Sequence, residues 1–158
     1  MSDDIIVVQE EDFSHTQLYD QLRSYSGQGG AIVTFTGLVR DFHSDENVDR
    51  ETVSGIFLEY YPGMTESSLK SIVALARERW SLCAVSVVHR VGELQPKDQI
   101  VFVGVCSEHR QAAFEASHFI MDYLKTQAPF WKKERRASGD CWVDAKTSDT
   151  LAAQRWKG

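Results

Sequence analysis

Five cationic side chains stand close together in the last third of the sequence, and their types and spacing suggest a site for an anion. They face one acidic side chain, so this stretch carries +5 − 1 = +4. The whole chain carries −6, and everything else therefore sums to −10. A positive cluster on an acidic protein predicts that a negatively charged ligand binds there. The cations are Lys125, Lys132, Lys133, Arg135 and Arg136, and the acidic side chain is Glu134.

Lys125 falls in the last turn of a predicted long helix, which Pro129 ends before a strand begins. A lysine in a last turn complements the helix dipole without any function. Likewise, Lys132 and Lys133 beside Trp131 suit a charged strand edge that resists aggregation. For each feature alone, a structural role is therefore a better explanation than a catalytic one. Together they favour a catalytic site, because a helix end and the next strand can aim both lysines into one pocket. A lysine near other cations has a lowered pKa and can transfer protons near neutral pH.

Two further cationic positions lie at predicted element ends. His109 and Arg110 stand in the first turn of the long helix, where free N–H groups and the dipole already favour an anion. Cations there are unfavourable for the helix, which points to a bound negative group. From spacing alone, solvated surface charge explains them equally well. Arg40 follows a predicted strand.

Other chemistries are less well supported. Cys106 with His109 would suit a thiol nucleophile, but a core cysteine that ends an apolar strand is the better explanation. The histidines lack metal-ligand spacing and the glycines match no nucleotide-binding pattern, so no metal or cofactor is predicted. The three cysteines, Cys83, Cys106 and Cys141, are predicted to be buried, reduced thiols. The −10 outside the cationic stretch argues against nucleic-acid binding.

The elements that position these residues predict one α+β domain over residues 1–158. Ser14 is a predicted helix cap with Gln17 completing a capping box, and Thr65 and Ser107 are predicted caps of the second and third helices. Gly37 predicts a bulge in its strand. One helix is expected to begin after each of these three caps. Strands are expected at 5–8, 31–39, 55–61, 82–88 and 100–106, with a hairpin of strands 130–135 and 141–145.

Two segments lie outside this framework. Residues 41–54 are polar and mostly acidic, and we expect a mobile loop. Residues 147–158 are expected to form either a short helix or a flexible tail. No apolar run approaches the length of a membrane span, and the first four residues lack the basic start of a signal peptide, so we expect a cytoplasmic protein without a membrane segment.

Five segments form a pattern that spans nearly the whole chain: FTGLVR at 35–40, LEYYPGM at 58–64, VHRVGEL at 88–94, VGVCSEHR at 103–110 and APFWKKE at 128–134. Each is weak alone, and together they are specific. On these segments the chain resembles the large, catalytic subunits of molybdopterin synthase. The resemblance implies an α/β hammerhead fold with a mixed or antiparallel sheet and a C-terminal β-hairpin.

The resemblance also implies an activity and an assembly. The expected enzyme is a sulfurtransferase that converts cyclic pyranopterin monophosphate, a pterin phosphate, into the dithiolene of molybdopterin. Sulfur is expected from a small ubiquitin-like carrier subunit whose C-terminal glycine is a thiocarboxylate. The expected assembly is a heterotetramer with a homodimer of this chain at its centre.

Carried over by position, the family's site falls on the cationic residues. Lys125 is the expected essential lysine and Lys132 a second catalytic cation. The phosphate is expected to bind His109 and Arg110 in the same pocket. The remaining expected substrate contacts are Leu38, Val39, Arg40, Lys133 and Glu134.

The chain departs from the family pattern at two places. The loop at 41–54 is longer and more acidic than expected, and Lys97 stands where a turn glycine is usual. An alternative function uses the same cations without catalysis: a binding module for an anion or nucleotide.

Overall fold

The computed structural model describes residues 4–25, 27–40, 53–143 and 147–157, and these form one α+β domain with two four-stranded sheets. Most of the predicted loop at 41–54 lies outside the described residues, and its last two residues belong to a strand. The strands are β1 (Ile5–Gln9), β2 (Ala31–Leu38), β3 (Val53–Tyr60), β4 (Leu82–Arg90), β5 (Gly92–Leu94), β6 (Gln99–Ser107), β7 (Phe130–Arg136) and β8 (Gly139–Val143). The helices are α1 (His15–Ser24), α2 (Met64–Arg79), α3 (Arg110–Gln127) and α4 (Thr147–Gln154).

The first sheet is mixed and has the order β1-β4-β6-β2, with β1 parallel to β4 and the other pairs antiparallel. Its strand β6 is buried from Val101 to Ser107, as the continuous apolar run predicts for a strand covered on both faces. Helix α1 packs on one face through Leu18 and Leu22, and α2 and α3 pack on the other. The predicted bulge is confirmed, because the β2–β6 register shifts at Gly37.

The second sheet is antiparallel, has the order β5-β3-β7-β8, and contains the predicted C-terminal hairpin. The expected mixed and antiparallel pairing is present, divided between two sheets because β3 pairs with β7 and not with a strand of the first sheet. Strand β5 was not predicted. It has only three residues, and it pairs with Ile56–Leu58 of β3, a strand that is distant in sequence.

The first helix begins as predicted: the Ser14 hydroxyl accepts a hydrogen bond from the backbone N–H of Gln17 at 3.3 Å. The predicted cap at Thr65 is wrong. Helix α2 has Gly63 as its N-cap, at a φ of 86° that suits glycine, and Thr65 lies inside the first turn. The Glu66 carboxylate accepts from the Gly63 N–H at 2.6 Å and caps the helix in its place.

The predicted cap at Ser107 is also wrong. Ser107 is the last residue of β6, and its hydroxyl donates to the carbonyl of Ser81 at 2.9 Å. The N-cap of α3 is His109, and Arg110 is its first residue. The cationic pair therefore lies at the helix start, as predicted.

After β8 the described residues 147–157 form α4 and a turn whose Trp156 packs against the core. Trp156 lies edge-on to Trp80 and Phe119, with ring centroids 5.7 and 5.6 Å away. Its indole N–H donates to the carboxylate of Asp122 at 2.7 Å. Among the described helices, none combines the length and hydropathy needed to cross a membrane.

Lys97 occupies a left-handed conformation with a φ of 74°. This explains why glycine suits the position, since a side chain there is strained by roughly 1–2 kcal/mol. We expect Lys97→Gly to raise the free energy of unfolding by about 0.5–1 kcal/mol after the entropic cost of glycine. Urea unfolding monitored by circular dichroism measures the change. Lys97→Ala keeps the strain and should give no gain, and an equal gain would contradict the explanation.

Candidate functional site

The candidate site lies at one end of the first sheet, where three elements meet. Strand β2 ends at Leu38, which pairs with Gln99 at the start of β6, and His89 of β4 pairs with Val101. Only two residues separate β6 from α3, and α3 packs back along the sheet. The helix therefore returns its last turn to this end, and the charge of Lys125 acts on His89 there.

The junction between α3 and β7 is fixed by two buried side chains. The ring of Phe130 stacks on the ring of His89, with centroids 3.9 Å apart and an angle of 17° between the planes. The hydroxyl of Thr65 donates to the carbonyl of Pro129 at 2.9 Å and accepts from the N–H of Tyr61 at 3.0 Å. Thr65 is fully buried. The turn that joins the two lysine-bearing elements is thus held by His89 of β4 and by Thr65 in the first turn of α2.

Strand β7 presents its side chains alternately to two faces, as any extended chain does. Phe130 and Lys132 lie on the inner face, where Phe130 packs in the core and Lys132 pairs in register with the buried Leu58. Trp131 and Lys133 lie on the outer face. Trp131 is 48% exposed, and the Lys133 ammonium stands 5.0 Å from the ring centroid of Trp142. Of the two adjacent lysines, Lys132 shares the strand face of Phe130, which stacks on His89.

Glu134 is buried on the inner face, where it pairs in register with the core residue Ile56. Its carboxylate accepts a hydrogen bond from the Nε of Arg136 at 3.0 Å. The structure thus places Glu134 in an ion pair within β7, and its contact with a substrate stays a prediction.

Backbone hydrogen bonds fix the position of the chain directly after β2. Val39 is buried, its N–H donates to the carbonyl of Asp98 at 2.9 Å, and its carbonyl accepts from the N–H of Lys97 at 2.8 Å. Leu38 is 53% exposed and Arg40 is exposed. These three residues stand at the same end of the first sheet as Lys125, so the predicted set of Leu38, Val39 and Arg40 is brought to the site.

His109 and Arg110 stand at the opposite end of the first sheet. Lys125 lies sixteen positions after His109 along the helix, which corresponds to about 24 Å. A single chain therefore does not bring the predicted phosphate-binding pair and the predicted catalytic lysine into one pocket.

The thiol-nucleophile alternative is not supported. The Cys106 side chain is fully buried, and burial raises its pKa to about 11, so the thiolate is scarce. The expectation that all cysteines are buried is wrong for Cys141, which is exposed, and Cys83 is half-buried. In the segments that the structure describes, no group of three His, Cys, Asp or Glu side chains is arranged to hold a metal ion.

His89 is a buried histidine whose proton uptake is suppressed. Burial lowers its pKa to about 4, the hydrogen bond to the carbonyl of Arg90 opposes this, and the charge of Lys125 adds to the lowering. Its neighbours in strand register are Val8 and Val101, which carry no charge. The ring is therefore neutral near pH 7.

This pKa predicts acid sensitivity. Between about pH 6.5 and pH 4 the unfolded chain binds a proton at His89 that the folded chain does not, so stability falls as the pH falls through this window. We expect a loss on the order of 3 kcal/mol, from 1.36 kcal/mol per pKa unit. Urea unfolding at pH 7, 5.5 and 4 measures it. His89→Phe cannot titrate and should show a correspondingly smaller loss; an unchanged loss would contradict the assignment.

A family model described as MoaE protein matches residues 8–127, which is most of the chain and includes both ends of α3. The chain belongs to the MoaE family. The molybdopterin synthase catalytic subunit of Escherichia coli is 53% identical over 156 residues, covering 99% of this chain and 100% of that protein. The resemblance inferred from the sequence is therefore confirmed.

Solved structures agree. The molybdopterin biosynthesis MoaE protein from Burkholderia ambifaria has a TM-score of 0.81 and 43% identity, and the match covers 100% of this chain and 99% of that one. Molybdopterin synthase from Staphylococcus aureus has a TM-score of 0.75 and 30% identity, covering 87% of this chain and 95% of that one. The fold of this MoaE-family member is thus the one its sequence predicted, a single α+β domain.

Sequence reasoning missed two residues of this MoaE-family site. His89 lies within a segment that carried the resemblance, yet no role followed from its type or spacing. Thr65 carried the wrong role, that of a helix cap. A sequence signal exists for His89: a histidine that ends an otherwise apolar strand is placed among core residues.

Proposed function

We propose that this chain is the catalytic subunit of a molybdopterin synthase. It transfers sulfur from the thiocarboxylated C-terminus of a small carrier subunit to cyclic pyranopterin monophosphate. The observation that supports this proposal is the α3–β7 junction: Lys125 lies in the last turn of α3, and Lys132 is the third residue of β7, which begins after a two-residue turn. The names of the relatives support it independently.

The cations suit the chemistry of the transfer. The dithiolene needs two sulfur atoms, so two carriers each deliver one: the thiocarboxylate sulfur attacks the substrate side chain, the cyclic phosphate opens as one of its bonds to that side chain breaks, and water then releases each carrier from its acyl linkage. Negative charge develops on oxygen or sulfur at each step, and fixed cations stabilise it. We assign Lys125 to the carrier's C-terminus, as acid–base or orienting group, and Lys132 to the same charge from the strand side.

The phosphate site requires a second copy of the chain. His109 and Arg110 lie about 24 Å from Lys125 along one helix. We infer that in the homodimer the pair from one copy faces the lysines of the other. Exposed apolar side chains near the helix start and on the edge strand β2 are available to such a contact: Phe114 is 60% exposed and Phe35 is 44% exposed.

The other predicted contacts divide by position. Arg40, with the backbone at Leu38 and Val39, lies at the Lys125 end and is assigned to the pterin phosphate. Glu134 is assigned to the charge balance around Lys132 on the inner face. Lys133 lies on the outer face, so it contacts substrate only where the substrate or a partner extends around β7. The free cysteines fit a cytoplasmic location.

Co-purification followed by turnover tests the function. The chain is mixed with the candidate carrier subunit bearing a thiocarboxylate and with cyclic pyranopterin monophosphate, and the dithiolene product is measured. Product formation that depends on the thiocarboxylate is the expected result. Binding of the pterin phosphate without turnover would instead support the non-catalytic binding module.

A further inference from the structure

His89 stands directly beneath the junction that joins the two catalytic lysines. Among the histidines that the structure describes, it is the buried one, with 5% of its surface exposed. It is the second-last residue of β4, at the same end of the first sheet as Lys125. None of the steps in the proposed sulfur transfer uses it.

The orientation of the His89 ring is fixed by its own strand. Its Nδ1 lies 2.7 Å from the carbonyl oxygen of Arg90. A carbonyl only accepts, so Nδ1 carries the hydrogen and Nε2 holds the lone pair. The imidazole is thereby held as one neutral tautomer, with its plane set by a hydrogen bond to a rigid strand.

The face of this ring supports Phe130. The two rings lie nearly parallel at 3.9 Å, and Phe130 is the first residue of β7, next to Pro129. Lys132 follows two residues later on the same face, at about 7 Å along the strand. On the other side of the turn, Lys125 stands close enough for its charge to act on His89. One buried ring thus contacts the start of β7 and lies beside the end of α3.

We propose that His89 is a positioning residue for sulfur transfer: its stack with Phe130 fixes where β7 begins, and so sets Lys132 relative to Lys125. This inference rests on the proposed function. It assigns His89 no contact with the substrate or carrier. A neutral aromatic ring suits this role, because a cation at the same place would repel Lys125 and an aliphatic side chain would not define the plane of Phe130.

Two substitutions separate the stack from the hydrogen bond. His89→Phe keeps a flat ring against Phe130 and loses the Nδ1 donor. His89→Asn keeps a donor near the carbonyl of Arg90 and loses the ring. We expect His89→Asn to lower kcat by about tenfold to a hundredfold with KM nearly unchanged, because misplaced groups cost transition-state stabilisation. His89→Phe should retain kcat within about threefold of the wild type.

Matched controls distinguish positioning from general loss of stability. Val85→Ala removes a buried side chain from the same strand away from the junction. It should lower the melting temperature without lowering kcat in the folded protein. Phe130→Leu removes the stack from the other side, leaves His89 in place, and should reproduce the kcat loss of His89→Asn. This variant keeps the test decisive if His89→Asn does not fold.

The outcomes separate this inference from the proposed function. If the wild-type chain makes no product with thiocarboxylated carrier, the function fails. If the wild type is active and folded His89→Asn and Phe130→Leu keep its kcat, the positioning role is overturned. Equal kcat losses in His89→Phe and His89→Asn would also overturn it, since the ring nitrogens would then matter rather than the stack.

Discussion

Lys125→Ala is expected to abolish sulfur transfer while leaving the fold intact. The side chain is exposed in the last turn of α3, so its removal should change the free energy of unfolding by no more than about 0.5 kcal/mol. Loss of an acid–base or charge-stabilising group at the reacting centre costs about a hundredfold or more in rate. The measurement is product formation from cyclic pyranopterin monophosphate at saturating thiocarboxylated carrier.

Two comparisons make this result specific. Lys70→Ala removes one positive charge from an exposed position of α2, remote in sequence from the junction, and should keep full activity. Lys125→Arg keeps the charge but cannot release a proton near neutral pH. Activity in Lys125→Arg would assign the lysine to charge stabilisation, and inactivity would favour proton transfer or a strict geometric need. Full activity in Lys125→Ala would remove the residue from the mechanism.

Mixed dimers of one impaired and one inactive variant are expected to regain activity if the site is shared between copies. Arg110→Ala should lower kcat/KM by about tenfold to a hundredfold, the effect of losing a charge-assisted hydrogen bond to phosphate. When Arg110→Ala and Lys125→Ala chains are co-expressed, half of the dimers contain one of each. Each mixed dimer has one intact site, which predicts about a quarter of the wild-type activity.

The control for this experiment is a mixture with no intact site in any dimer. Lys125→Ala chains are co-expressed with chains that carry both substitutions, and the activity should stay at the level of Lys125→Ala alone. If the first mixture also stays at that level, then Arg110 and Lys125 do not act across a two-fold interface. The helix length rules out their meeting within one copy, so Arg110 would then have no role in the pocket.

Much of the fold follows from local sequence rules. The Ser14 cap acts on a residue three positions away, and the apolar run of β6 reports burial on both faces. The alternation of β7 is likewise intrinsic to an extended chain and correctly separates Lys132 from Lys133. Features that depend on neighbours in sequence were therefore predictable.

The features that were missed depend on residues far apart in the chain. Strand β5 exists because β3 offers it an edge, and the second sheet exists because β3 pairs with β7 rather than with the first sheet. The stack of His89 on Phe130 joins two such distant segments. The distance between Arg110 and Lys125 could have been predicted from the length of the helix alone. It was overlooked because the family resemblance assigned both residues to one site.

The alternation of β7 makes the number of residues between α3 and the strand as important as their identities. The α3–β7 turn consists of Ala128 and Pro129, and it sets which side chains face the first sheet. Loss of one residue from this turn would move every side chain of the strand to the opposite face. Lys133 would then point inward in place of Lys132, and Trp131 would meet His89. An insertion or deletion at this turn is therefore expected to lower activity more than any single substitution in β7, because it changes which side chains of the whole strand face the first sheet.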